Sequence, residues 1–251
     1  MDKLAIISGA GGGLGRALAI EMTKAGCTVV GLGRREEALA ETGSLAGERF
    51  VPVTCDVADP AQVAQAFARV DAIGPLSILI NNAAVYPRRD ILDETPASFA
   101  QTMDINLGGL VTCTQEALAR FVTTGSGRIM NVATFADVAP IAAASAYSTS
   151  KGAARVFTKC LIADLADRFP DIVINDWMPG ALNTAMGIPE GLSPEVAAKS
   201  GAVMAMWHDP SLTGTTWEVD TEIPAPRGLK DRLKDKLLFR KAVIRRLDPA
   251  T

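Results

Sequence analysis

Seven short β-rich apolar runs punctuate this chain, near residues 3–8, 27–32, 50–54, 76–81, 127–133, 171–177 and 215–219. Between them, at about 13–25, 35–46, 59–72, 97–123, 146–169 and 193–207, apolar residues recur at helical spacing. A strand–helix alternation of this kind builds a parallel sheet through right-handed crossovers, with helices over both faces. With 48% hydrophobic and 21% charged residues among 251, the chain has the apolar content for a substantial core and does not read as disordered. In such sheets ligands bind beyond the carboxyl ends of the strands, where strand order reverses.

The first strand runs directly into Ser8-Gly9-Ala10-Gly11-Gly12-Gly13-Leu14-Gly15, and an amphipathic helix opens at Arg16. Glycines there let the backbone turn tightly and approach a pyrophosphate, which then rests on the positive end of the helix dipole. The second strand ends Gly31-Leu32-Gly33-Arg34-Arg35. An acid at that strand end would accept the ribose 2′-hydroxyl of NAD, whereas an arginine attracts a 2′-phosphate. Gly33 takes the place of the acid and Arg34 follows, so the expected cofactor is NADP(H), with NAD(H) as the alternative if Arg34 and Arg35 are merely solvated.

Further motifs follow in order: Cys55-Asp56-Val57, Asn81-Asn82-Ala83-Ala84, Asn106 within the long helical stretch, Tyr147-Ser148-Thr149-Ser150-Lys151, and Pro179-Gly180 followed by Thr184. Together with the glycine turn they resemble the short-chain dehydrogenase/reductase family, over roughly residues 3–220. The turn taken alone also fits the family's longer branch; the chain length, Asn81-Asn82-Ala83 and Asn106 favour the compact single-domain branch. The resemblance implies a Rossmann-type doubly wound parallel sheet of about seven strands. It implies that Ser8, Gly9, Gly12, Gly13, Leu14, Gly15, Arg34, Asp56, Val57, Asn82, Ala83, Tyr147, Lys151, Pro179, Gly180 and Thr184 hold the dinucleotide. The reaction implied is hydride transfer between NADP(H) and a ketone, aldehyde or secondary alcohol.

Tyr147 and Lys151 lie four residues apart in a predicted helix and so share a face. A phenol with a pKa of about 10 is a poor acid–base catalyst at neutral pH, and a nearby ammonium is expected to lower it. By the resemblance, Lys151 also binds the nicotinamide ribose and Asn106 supports a water-linked proton path to it. Where the family carries a serine, 13 residues before the tyrosine, this chain has Thr134; its hydroxyl can still bond the substrate oxygen, although its methyl stiffens the rotamer. The catalytic set is therefore Asn106, Thr134, Tyr147 and Lys151. A non-catalytic dinucleotide sensor or scaffold on the same fold is the alternative, but it has no need of the acid–base pair.

Around this site we place Arg88 and Arg89, in a solvated loop, with Phe135, Asp137, Ala181, Leu182 and Met186. Only Ala185 to Leu192 separate Thr184 from the next helix, a shorter stretch than the lid common in the family. The single histidine, His208, sits past a predicted helix end with no nucleophile elbow elsewhere, so a Ser-His-Asp hydrolase is not supported. Cys27, Cys55, Cys113 and Cys160 show no ligand spacing, so no metal site is expected and all four read as buried apolar residues.

Residues 1–222 are expected to form the catalytic domain and residues 223–251 a basic tail, with apolar residues at Leu229, Leu233, Leu237 and Ile244 predicting an amphipathic helix from Leu229 to Leu247. The tail holds 9 Lys/Arg and 3 Asp/Glu against 16 and 25 in the rest, giving +6 on a body of −9. An acidic body without a recognition motif argues against nucleic acid. The tail could pack on a subunit, cover the pocket or rest on an anionic membrane, the last not favoured. The apolar stretch Leu4–Ile7 is too short for a leader or span, so a cytoplasmic protein is expected, and the family resemblance implies a homodimer or homotetramer acting on a small molecule.

Overall fold

The computed structural model describes residues 3–224 and 244–247. It contains β1 (Leu4–Ser8), α1 (Gly13–Lys24), β2 (Thr28–Gly33), α2 (Glu36–Ala46), β3 (Phe50–Thr54), α3 (Pro60–Asp71) and β4 (Leu76–Asn81). Next come α4 (Pro96–Met103), a π turn over Asp104–Gly108, α5 (Gly109–Thr124), β5 (Ser126–Val132), α6 (Ser145–Leu165) and β6 (Asp171–Met178). α7 (Pro194–Met206), a 3₁₀ turn (Pro210–Leu212), β7 (Thr216–Glu218) and β8 (Thr221–Ile223) complete the order.

The strands form one sheet, β3-β2-β1-β4-β5-β6-β7-β8, parallel except where β8 turns back on β7. This is the doubly wound fold expected, with β8 as an eighth strand. Strand residues alternate between two cores. Ala5 and Ile7 of β1 pack with α1 and α7 residues such as Leu18 and Met204, while Leu4 and Ile6 pack with α3 and α5 residues such as Phe67 and Phe121. Burial of β1 on both faces explains why its sequence is continuously apolar rather than alternating.

Local chemistry sets the helix starts. Asp59 accepts from the Ala61 and Gln62 amides, Thr95 and Ser98 form a reciprocal cap, and Ser193 accepts from Val196; a proline occupies the first turn each time. The helix expected at 97–123 is two helices joined by the π turn, because Asn106 is turned inward there to bond other elements. Cys27, Cys55 and Cys113 are buried as expected, whereas Cys160 is exposed on α6.

Most of the expected tail helix lies outside the described residues. Residues 244–247 are described and are not helical: Arg246 bridges Thr221 antiparallel, the Glu222 amide donates to the Arg245 carbonyl (3.0 Å) and the Leu247 amide to that of Asp220 (2.7 Å). Arg245 also pairs with Glu222 at 2.6 Å and lies over the Trp207 and Trp217 rings. Backbone pairing to a sheet edge wins here over the helical periodicity of the segment.

Candidate active site

Strand order reverses between β1 and β4, and a cavity of about 1080 Å³ opens beyond the ends of these strands. The glycine turn forms its floor. Gly9 and Gly13 have φ of +73° and +50°, a backbone region that disfavours side chains. A Cβ on Gly15 would fall 2.2 Å from the Gly9 carbonyl oxygen, so the first turn of α1 can meet the β1 end only without a side chain. Gly12 has open space around it, and the first turn of α1, without a side-chain cap, lines the cavity, a cradle suited to a pyrophosphate.

Gly9, Gly12, Gly13, Leu14, Gly15, Arg34, Asp56, Val57, Asn82, Ala83, Pro179, Gly180 and Thr184 all line this cavity, as do Thr134, Tyr147 and Lys151. Ser8 sits behind it, buried: its hydroxyl accepts from the Asn82 and Ala83 amides at 3.0 Å and so fixes the end of β4 against β1. Asn82 in turn donates to the Ser8 carbonyl at 2.9 Å. Arg34 is exposed at the rim, just past Gly33. Gly33 leaves no room for a side chain without movement of Leu39, 3.2 Å from where a Cβ would lie.

At the other end of the cavity Tyr147 projects from α6. Burial pushes its phenol above the ordinary range, and a hydrogen bond with Thr134 opposes that. This reverses the direction expected from Lys151, whose ammonium instead donates to the Val132 carbonyl at 2.8 Å. Burial lowers Lys151 to about 8, against the attraction of Asp176 and Asp137. Asn106, also behind the lining, accepts from the Val85 amide (2.7 Å) and donates to the Val85 carbonyl and the Ser150 hydroxyl (both 2.9 Å). It thereby ties the β4 loop to the turn of α6 that carries Lys151.

The sequence reading passed over Tyr86, which stacks on Tyr147 and is itself covered by the Arg88 guanidinium 5.6 Å from its ring centroid. Arg88, exposed as expected, also donates to the Gly187 carbonyl (2.7 Å), whereas Arg89 is partly buried and pairs with Glu94 (2.7 Å). Met186, Ala181 and Leu182 line the cavity as anticipated; Phe135 and Asp137 are not among the lining residues. Instead Asp137 pairs with Arg155 at 2.7 Å. The short stretch after Thr184 folds on itself: Leu182 and Leu192 bridge, and the Ile188 amide donates to the Leu182 carbonyl (2.9 Å). His208 follows the end of α7, outside the cavity. Among the described residues no cluster could hold a metal ion, and no helix is long and apolar enough to cross a membrane.

Residues 3–193 match the family model described as short chain dehydrogenase. A "Short-chain type dehydrogenase/reductase" of Picea abies is 34% identical over 203 residues, covering 73% of this chain and 72% of the relative. "Carbonyl reductase family member 4" of Danio rerio is 29% identical over 234 residues, 88% of this chain and 97% of that protein. Among solved structures, a variant of actinorhodin polyketide ketoreductase with NADPH superposes with a TM-score of 0.80 at 25% identity, covering 87% of this chain and 95% of the other. With the glycine cradle and the Tyr147–Lys151 pair in one cavity, these likenesses agree: the chain belongs to the short-chain dehydrogenase/reductase family.

Proposed function

We propose that this protein reduces a ketone or aldehyde with NADPH, and runs the reverse oxidation of a secondary alcohol, using Tyr147 as the proton-transferring group. The observation that carries this reading is the Tyr147 phenol, half-buried and hydrogen-bonded to Thr134, in the same cavity as Lys151 and the glycine cradle. A phenol held above its ordinary pKa is protonated at neutral pH, the state a general acid requires when a carbonyl becomes an alcohol.

The cradle of Gly12, Gly13 and Gly15, with Asp56, Val57, Asn82, Ala83, Pro179, Gly180 and Thr184, fits a dinucleotide, and Arg34 favours one bearing a 2′-phosphate. When bound, a reduced nicotinamide supplies the hydride. Thr134 and Tyr147 hold the substrate oxygen, Tyr147 delivers the proton to it, and Lys151 stabilises the phenolate left behind. Asn106 positions Lys151 through Ser150. The acid–base group beside the cradle supports an enzyme over a pure sensor. A small-molecule substrate, a cytoplasmic setting and a homodimer or homotetramer belong to the same proposal.

A carbonyl panel followed at the nicotinamide absorbance tests it. Tyr147→Phe should cut turnover by about 10²–10⁴-fold, the usual contribution of a positioned proton donor, with dinucleotide affinity nearly intact. Thr134→Ser should keep most activity and Thr134→Ala should lose it. Undiminished turnover in Tyr147→Phe would remove the assignment.

A further inference from the structure

Three residues stand in register across the middle of the sheet: Asn81 of β4 beside Asn131 of β5, and Asn131 beside Asp176 of β6. All three are buried. Their side chains form a hydrogen-bond chain that runs one way. The Asn81 amide donates to the Asn131 carbonyl oxygen (2.9 Å), and the Asn131 amide to the Thr158 hydroxyl (3.0 Å). That hydroxyl donates to Asp176 Oδ1 (2.9 Å), while the Ala154 carbonyl, 3.2 Å away, is the more distant acceptor for its single proton. Within the row each donor points toward the carboxylate, the second Asn81 amide proton going to the Thr114 hydroxyl (3.0 Å); burial raises Asp176 to about 6, and the Thr158 bond opposes this by favouring the ionised form, which prevails at neutral pH.

A buried carboxylate is costly unless a cation or donors compensate it. The neighbouring cations come from one face of α6, where Tyr147, Lys151 and Arg155 follow at four-residue intervals. Arg155 is ion-paired with Asp137 of the β5–α6 loop, and it attracts Asp176 as well. Lys151, by contrast, has a carbonyl as its hydrogen-bond partner, and Asp176 is the foremost negative charge acting on it, ahead of Asp137. Tyr147, neutral in its protonated form, and the exposed Lys159, one interval beyond Arg155, are the other titratable groups of that series.

We propose that Asp176 is a positioning residue for the reaction, the carboxylate at the end of the Asn81–Asn131–Thr158 chain that keeps the buried Lys151 ammonium charged. This deepens the proposed function, on whose Tyr147–Lys151 pair it rests. The sign follows from charge: removing Asp176 disfavours the ammonium, so Lys151 gives up its proton at lower pH and Tyr147 loses its cationic neighbour there.

The test uses the full chain carrying Asp176→Asn, with ¹³C at the lysine ε-carbons and the Lys151 signal assigned by its loss in Lys151→Met. The Lys151 midpoint should fall by about one pH unit, the low end of the effect of an adjacent opposite charge. The alkaline limb of carbonyl reduction should move down with it. Asp176→Ser, smaller and still able to accept from Thr158, should show the same fall and serves if the asparagine variant does not fold. A folded variant of either kind with an unmoved Lys151 midpoint would overturn the proposal and leave Asp176 a structural residue. The titration is read without dinucleotide or substrate; a chain that turns over no carbonyl would therefore refute the proposed reaction while Asp176 is still decided.

Discussion

The chain has two tyrosines, and they stack: the rings of Tyr86 and Tyr147 have centroids 4.6 Å apart and planes inclined by 29°. Tyr86 fixes one face of the proposed proton donor and is braced from beyond by Arg88. An aromatic pair contributes about 0.5–1.5 kcal/mol beyond its buried area, equivalent to roughly 2–13-fold in a rate if the contact persists only in the productive geometry. Tyr86→Leu should therefore lower kcat/KM by up to about tenfold, and Tyr86→Phe should retain nearly all of it. Equal losses in the two variants would show that the Tyr86 hydroxyl matters and the stacking does not.

Arg34 bears on cofactor choice. A charge-assisted phosphate contact contributes about 1.5–3 kcal/mol when dry, and the exposure of Arg34 reduces it by screening. Dissociation constants from fluorescence titration should show NADPH bound more tightly than NADH. Arg34→Ala should weaken NADPH about tenfold with little effect on NADH, and raising the salt concentration should narrow the gap in the unaltered protein. Tighter NADH binding by the unaltered protein would reverse the assignment.

The segment 244–247 bears on stability. Arg245→Ala removes the 2.6 Å pair with Glu222, a hydrogen bond to the Ser211 hydroxyl and the contacts with two tryptophan faces. For a partly buried network of this size we expect a loss of about 1–2 kcal/mol, a drop of roughly 2–8 °C in Tm for a chain of this length. Because Arg245 stands outside the cavity lining, KM and kcat should be unchanged. A calorimetric scan matching the unaltered protein would show the segment to be energetically idle.

Much of this architecture is written in local patterns. The apolar runs and intervening helical periods give β1 through β7, and the glycine turn marks the ligand end of the sheet. β8 escapes such reading because three residues, Thr221–Ile223, make too short and too polar a run to register. The π turn escapes because the apolar spacing continues across it, and only the inward bonds of Asn106 demand the change of register. At the site, residues belonging to ordered motifs, such as Tyr147, Lys151 and Thr134, were legible. Tyr86 and Asp176 were not, since the role of each depends on neighbours far away in sequence: the first lies in a loop, and the second is a buried charge beside Asn175 in a largely apolar strand. Arg88 and Arg89 look solvated by composition, yet they are engaged by a loop carbonyl and by Glu94.

The antiparallel turn of β8 bears on how the molecule is made. Ribosomal synthesis delivers the seven parallel strands first, then β8, and the residues that pair with β8 only about twenty positions later. Until Arg246 arrives, β8 presents an open row of amides and carbonyls, a surface on which a second nascent chain could add a strand. Residues 245–247 thus close a template for misassembly, and a chain released before them would leave β8 unguarded.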